Sequence, residues 1–161
     1  MGSYRELTGN LITLAKDDKI FDVIAQGCNC FCIQKAGLAP QMVEAFGTDK
    51  FRLEADTYKG FVNKLGTIDY NVFTYGEHSL TVVNAYTQFS IGSNVLTKDS
   101  IALDYEALTL CLRKINKLFA GKRIGLPKIG AGLAGAAWED IKIIIQKELR
   151  NCDTTVILYN S

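Results

Sequence analysis

The stretch KRIGLPKIGAGLAG, Lys122 to Gly135, constrains this chain more than any other: a short apolar run breaks into glycines and alanines and then opens a helical segment, AWEDIKIIIQKELRN. Strand, small-residue loop and helix in that order belong to a sheet with helical crossovers. The closing TTVILYNS reads as a last strand. Upstream, YRELT (Tyr4 to Thr8) and FDVIAQG (Phe21 to Gly27) are β-prone, and AGLAPQMVEAF repeats Leu38, Met42, Val43 and Phe46 at helical spacing. A second helical piece is expected around Phe51 to Tyr58, and two β-branched and aromatic runs about the turn signal Gly76 to Ser79 predict an antiparallel hairpin. Asp104 to Phe119 places Tyr105, Leu108, Cys111, Leu112 and Ile115 on one helical face, with Gly121 as a stop. This order calls for a mixed sheet with helices on both faces.

A chain of 161 residues is long enough for one substantial core, so a single domain over 1–161 is expected. Eighteen Lys and Arg against seventeen Asp and Glu generate no long-range field to draw in a nucleic-acid backbone, so any anionic ligand is held locally. No apolar run is of membrane-spanning length and no signal-peptide pattern opens the chain. The expectation is a cytoplasmic protein with no nucleic-acid or membrane partner.

In a sheet of this kind ligands bind beyond the carboxyl ends of strands, where loops feed helices. Two loops qualify. The first is GAGLAGAAWED, Gly130 to Asp140, whose successive N–H groups form a concavity for a phosphate or diphosphate; the glycines also suit a plain strand-to-helix turn. It fits neither the P-loop nor the dinucleotide fingerprint. The second is CIQKAGLA, where Ala36 and Gly37 are small and a helix begins. Asn29, just past the strand, can donate and accept at once, which suits a ribose diol as well as it suits a turn.

Five cysteines is an odd number, and Cys28, Cys30 and Cys32 crowd into five residues, which fits reduced thiols rather than disulfides. Along an extended strand their spacing points all three to one face, with no fourth ligand, so no metal is expected and packing is their default role. Cys32, at the loop edge, is the exception that could be reactive. His78 alone in a hairpin turn reads as a surface residue, and no cofactor is implied.

Taken in order, TGNLITLA, FDVIAQGCNCFC with AGLA, KLGTI, TVVNAYTQF, LDYEAL, GKRIGLPKIGAGLAGAAWE and VILY resemble the macrodomain family, nearest to its ADP-ribose-1″-phosphate processing branch, from about Tyr4 to Tyr159. The resemblance implies a three-layer α/β/α domain with a central mixed β-sheet and an ADP-ribose cleft. By motif, Asn10 and Leu11 stand where the family reads the adenine edge, and Tyr159 or Asn160 lies against adenine. Asn29 faces the distal ribose. Lys35, Ala36, Gly37 and Leu38 form the first loop, and Gly130, Ala131, Gly132, Leu133, Ala134 and Gly135 the diphosphate loop. Small-molecule binding is thereby implied, with mono-ADP-ribosylated protein as a further partner.

Gln26 replaces the branch's frequent histidine, while Ala134 and Ala137 replace aspartates. Binding residues therefore survive better than proton-transfer residues. If the chain is a hydrolase, an ADP-ribose-1″-phosphate phosphatase is implied, with Asn29 and Lys35 positioning phosphate and water. The alternatives are an ADP-ribosyl hydrolase and a binder or sponge for an ADP-ribose-containing signal nucleotide.

Overall fold

The computed structural model describes residues 2–34, 37–51, 60, 62–91, 93, 96, 101–131 and 135–159. Within these residues six strands form one mixed sheet: β1 (Ser3–Gly9), β2 (Val23–Asn29), β3 (Ile68–Tyr75), β4 (His78–Gln88), β5 (Arg123–Leu126) and β6 (Asp153–Tyr159). Their order is β1-β6-β5-β2-β4-β3, and only the β3–β4 pair is antiparallel. The hairpin turn is tighter than the sequence signal, since Tyr75 pairs with His78 around Gly76, which sits at φ 65°. His78 is not a free turn residue: its Nε2 lies 2.9 Å from the Phe21 carbonyl.

Among the described residues four helices cover the sheet: α1 (Leu11–Lys16), α2 (Ala39–Phe46), α3 (Tyr105–Leu118) and α4 (Trp138–Glu148). Along β2 the side chains alternate between faces. Val23 and Ala25 join a core with Leu108, Leu112 and Ile115 of α3 and Ile141 and Ile145 of α4, whereas Ile24 joins Leu11 and Ala15 of α1 and Met42 and Phe46 of α2. The three-layer α/β/α architecture follows from those two apolar faces. Asp104 starts α3 by accepting the Ala107 N–H at 3.0 Å.

Periodicity leaves out α1, because six residues are too few to display a helical stripe. Asn10 begins it, its Oδ1 accepting the Thr13 N–H at 3.1 Å. Of the helical piece expected over Phe51 to Tyr58, residues 52–59 lie outside the described residues. Phe51 follows a short 3-10 turn, Thr48–Lys50, and packs on Phe73. Among the described residues no helix is long and apolar enough to cross a membrane.

The sheet is pinned at the start of β5. Asp22 accepts from the Arg123 backbone N–H at 2.9 Å and from its guanidinium at 2.9 and 3.1 Å. The Arg123 guanidinium holds the Asp22 carboxyl below its ordinary range. A depressed folded-state value stabilises the fold above the unfolded carboxylate pKa of about 4, and the contribution is lost as pH falls through the folded value. Asp22→Ala is expected to lower stability at pH 7 by about 1 kcal/mol, the pair being half open to solvent. In thermal melts its deficit against the parent narrows as the pH is taken below about 4.

Candidate functional site

β2 and β5 are neighbours, yet the chain leaves them in opposite directions, through α2 toward β4 and β3 and through α4 toward β6. Such a split between adjacent strands opens a crevice at their carboxyl ends. A cavity of about 590 Å³ lies there, within the range of small-molecule sites. One wall is Asn29, Ile33, Gln34 and Gly37 to Ala39; the opposite wall is Pro127 to Ala131; Leu11, Ile157 and Tyr159 close one end.

The first wall is folded by Asn29. The strand runs on to this residue, with a register shift between Cys28 and Asn29, instead of ending at Gly27. Its Oδ1 accepts the N–H groups of Phe31 at 3.1 Å and Ile33 at 3.2 Å, and its Nδ2 donates to the Ile33 carbonyl at 2.9 Å. The chain therefore turns sharply, and Cys32 takes a left-handed φ of 58°. This corrects the expectation of three thiols along one strand, since only Cys28 lies on β2; Cys28 and Cys30 are nonetheless buried together with Tyr86, and half-buried Cys32 packs against them from beyond the turn. Burial pushes the Cys28 thiol well up and the Cys30 thiol up to about 11, so both are neutral packing groups at physiological pH. Among the described residues no cluster of His, Cys, Asp and Glu could hold a metal ion.

After Gly37, α2 opens at Leu38 with no side-chain cap and a proline in its first turn. The opposite wall turns at Gly130, φ 79°, where Ala131 N–H reaches the Lys128 carbonyl at 3.2 Å and Ala136 N–H the Gly130 carbonyl at 3.0 Å. Lys128 lies over the Trp138 ring, its Nζ 5.4 Å from the centroid. Among the described lining residues there is no carboxylate and no imidazole; the polar side chains include Gln26, Asn29, Gln34, Gln41, Thr87 and Gln88.

Of the residues singled out in the sequence, Leu11, Asn29, Gly37, Leu38, Gly130, Ala131 and Tyr159 line this cavity. Asn10 and Gly135 do not, and Asn10 spends its Oδ1 on the cap of α1. Lys35, Ala36, Gly132, Leu133, Ala134 and Asn160 lie outside the described residues. Sequence reasoning passed over Gln34, Thr87 and Gln88, because glutamine and threonine carry no motif; Thr87 and Gln88 reach the cavity from the end of β4 and Gln34 from the loop after β2. Tyr159 is 58% exposed at the cavity rim.

No protein-family model matches the chain. An uncharacterized 17.5 kDa protein from the tk-vs intergenic region of Enterobacteria phage T4 is 33% identical over 146 residues, 86% of this chain and 85% of the phage protein. The chain belongs to the family of that phage protein. Among solved structures, the macrodomain of Thermus aquaticus DarG superimposes with a TM-score of 0.67 at 20% identity, covering 98% of this chain and 99% of the other. The fold is the macrodomain fold. A Trypanosoma brucei macrodomain in complex with ADP-ribose is also similar, with a TM-score of 0.62 at 17% identity over 97% of this chain and 63% of its own. In this chain the cavity sits at the β2/β5 split, lined by Gly37 from one side and Gly130 from the other, where the backbone can be approached closely.

Proposed function

We propose that this macrodomain binds ADP-ribose or a close derivative in the cavity at the β2/β5 split. The observation that carries the reading is the pair of opposed walls, the uncapped start of α2 at Gly37 to Ala39 and the loop Pro127 to Ala131, each bringing a glycine at positive φ, Gly37 and Gly130, to the cavity. Unpaired N–H groups at a helix start favour a diphosphate. Leu11, Ile157 and Tyr159 form an apolar, partly aromatic end suited to adenine, and the Asn29 end takes the distal ribose. The T. brucei macrodomain complex with ADP-ribose supports the same ligand class.

Phosphate release from ADP-ribose-1″-phosphate is the finer reading that the sequence resemblance implies. Amides dominate the described polar lining and titrate at no accessible pH, so catalysis there relies on positioning rather than proton transfer. The favoured outcome is binding with little or no turnover, that is, a binder or sponge for an ADP-ribose-containing nucleotide. Calorimetric titration with ADP-ribose should give saturable binding, while phosphate-release and de-ADP-ribosylation assays, the latter on mono-ADP-ribosylated protein, remain near background. Absence of ADP-ribose binding refutes the ligand assignment, and rapid phosphate release replaces the binder with the phosphatase.

A further inference from the structure

One acceptor on the cavity floor is left over when the polar groups around it are paired. Gln26 on β2 and Asn84 on β4 are register partners on the α1/α2 face of the sheet, 3% and 0% exposed. The Thr48 carbonyl, which can only accept, takes Asn84 Nδ2 at 2.8 Å and Gln34 Nε2 at 3.4 Å. Asn84 Oδ1 and Gln34 Oε1 are thereby turned toward Gln26, and Gln34 Oε1 also accepts the Thr48 hydroxyl at 2.6 Å. Both face Gln26 Nε2, at 3.0 and 3.1 Å, and consume its two hydrogens. The amide cannot flip without setting its carbonyl against two other oxygens. Among the described residues Gln26 Oε1 has no protein donor, and it is not one of the side-chain atoms there that are both sealed and unpartnered. Gln26 lines the cavity, so its accessible edge opens there.

We infer that Gln26 Oε1 is a specificity-determining acceptor that reads a hydroxyl of the ligand's distal ribose. This rests on the ADP-ribose reading of the cavity. A carbonyl oxygen attracts a hydrogen-bond donor and repels phosphate oxygens, which at neutral pH only accept, so the diphosphate is excluded from this position. The adenine amine is excluded by distance: β5 separates β2 from the β6 residues at the apolar end, and two strand spacings amount to about 10 Å. The remaining donors of the ligand are the hydroxyls of its two sugars, and the distal sugar is the one placed at the Asn29 end of β2, the strand that carries Gln26. On the other side of Gly27, Thr87 is 1% exposed and its hydroxyl is sealed, so no charged group meets the floor there.

The test is a calorimetric series with ADP-ribose and analogues lacking one distal-ribose hydroxyl at a time, on the parent chain, Gln26→Met and Thr48→Val, with melting temperatures alongside. One analogue is expected to bind the parent about fivefold to tenfold more weakly than ADP-ribose. Gln26→Met should weaken ADP-ribose by a similar factor and show no further loss with that analogue. Thr48→Val, which keeps the Gln26 carbonyl, should retain the hydroxyl dependence. Losses that multiply in Gln26→Met overturn the inference, as does a parent chain indifferent to every deletion, a result that stands even if Gln26→Met does not fold. If ADP-ribose itself fails to bind the parent, the ligand assignment falls and this inference with it; if it binds and only the hydroxyl dependence is missing, the ligand assignment stands.

Discussion

Gly130→Ala is expected to lower the melting temperature by roughly 5–15 °C and to weaken ADP-ribose binding along with it. Two separate costs meet at this position. The backbone sits at φ 79°, where an L side chain costs ~1–2 kcal/mol that glycine does not incur. An added Cβ would also stand 3.0 Å from both Leu103 methyls and 3.2 Å from Ile141 Cδ1, inside the α3/α4 core, and overpacking of that kind costs ~1–3 kcal/mol. The sum is a large part of the ~5–15 kcal/mol that holds a domain together. Because Gly130 also forms the second wall, the strain is relieved most readily by moving the loop, which opens the cavity. Thermal melts with and without ADP-ribose separate the two effects: a variant that melts like the parent removes the strain account.

For Gly27→Ala the larger change is in affinity. Gly27 faces the cavity between the two walls, and a Cβ there would lie 2.9 Å from Thr87 Oγ1 and 3.0 Å from Ile129 Cγ1. Side chains, not backbone, are in the way, so the fold can yield by displacing Ile129 at a cost of ~1–3 kcal/mol. Ile129 is itself part of the second wall, and the methyl occupies floor against which a ligand would lie. Affinity for ADP-ribose is expected to fall at least about tenfold, equivalent to ~1.4 kcal/mol, with far-ultraviolet circular dichroism unchanged. Unchanged affinity would mean that the ligand does not lie over Gly27.

How much of this was legible beforehand differed by element. The strands β2, β5 and β6 and the helices α3 and α4 announce themselves, because their apolar stripes repeat at strand or helix period over enough residues to be distinctive. The six-residue α1 could not, and its cap, Asn10, looked from motif alone like a ligand residue. Asn29 was found for its ability to donate and accept, but most of that capacity is turned inward onto Phe31 and Ile33. Gln26 stood out only as the wrong residue for its family position. Its setting depends on Asn84, Thr48 and Gln34, which are far apart in the chain and carry no spacing signal.

The turn held by Asn29 bears on how any loss-of-function experiment at this site should be interpreted. A non-glycine residue in the left-handed region, here Cys32, persists only while neighbouring contacts outweigh its ~1–2 kcal/mol preference to leave. Three hydrogen bonds from one amide supply that restraint. An alanine at position 29 removes all of them together, so the wall and any chemistry beside it disappear in the same substitution. Asn29 is thus a confounded position, where architecture and any contact to a ligand share one side chain. A role in turnover can be assigned only from a replacement that keeps the turn, verified by structure, while altering the remaining Nδ2 hydrogen.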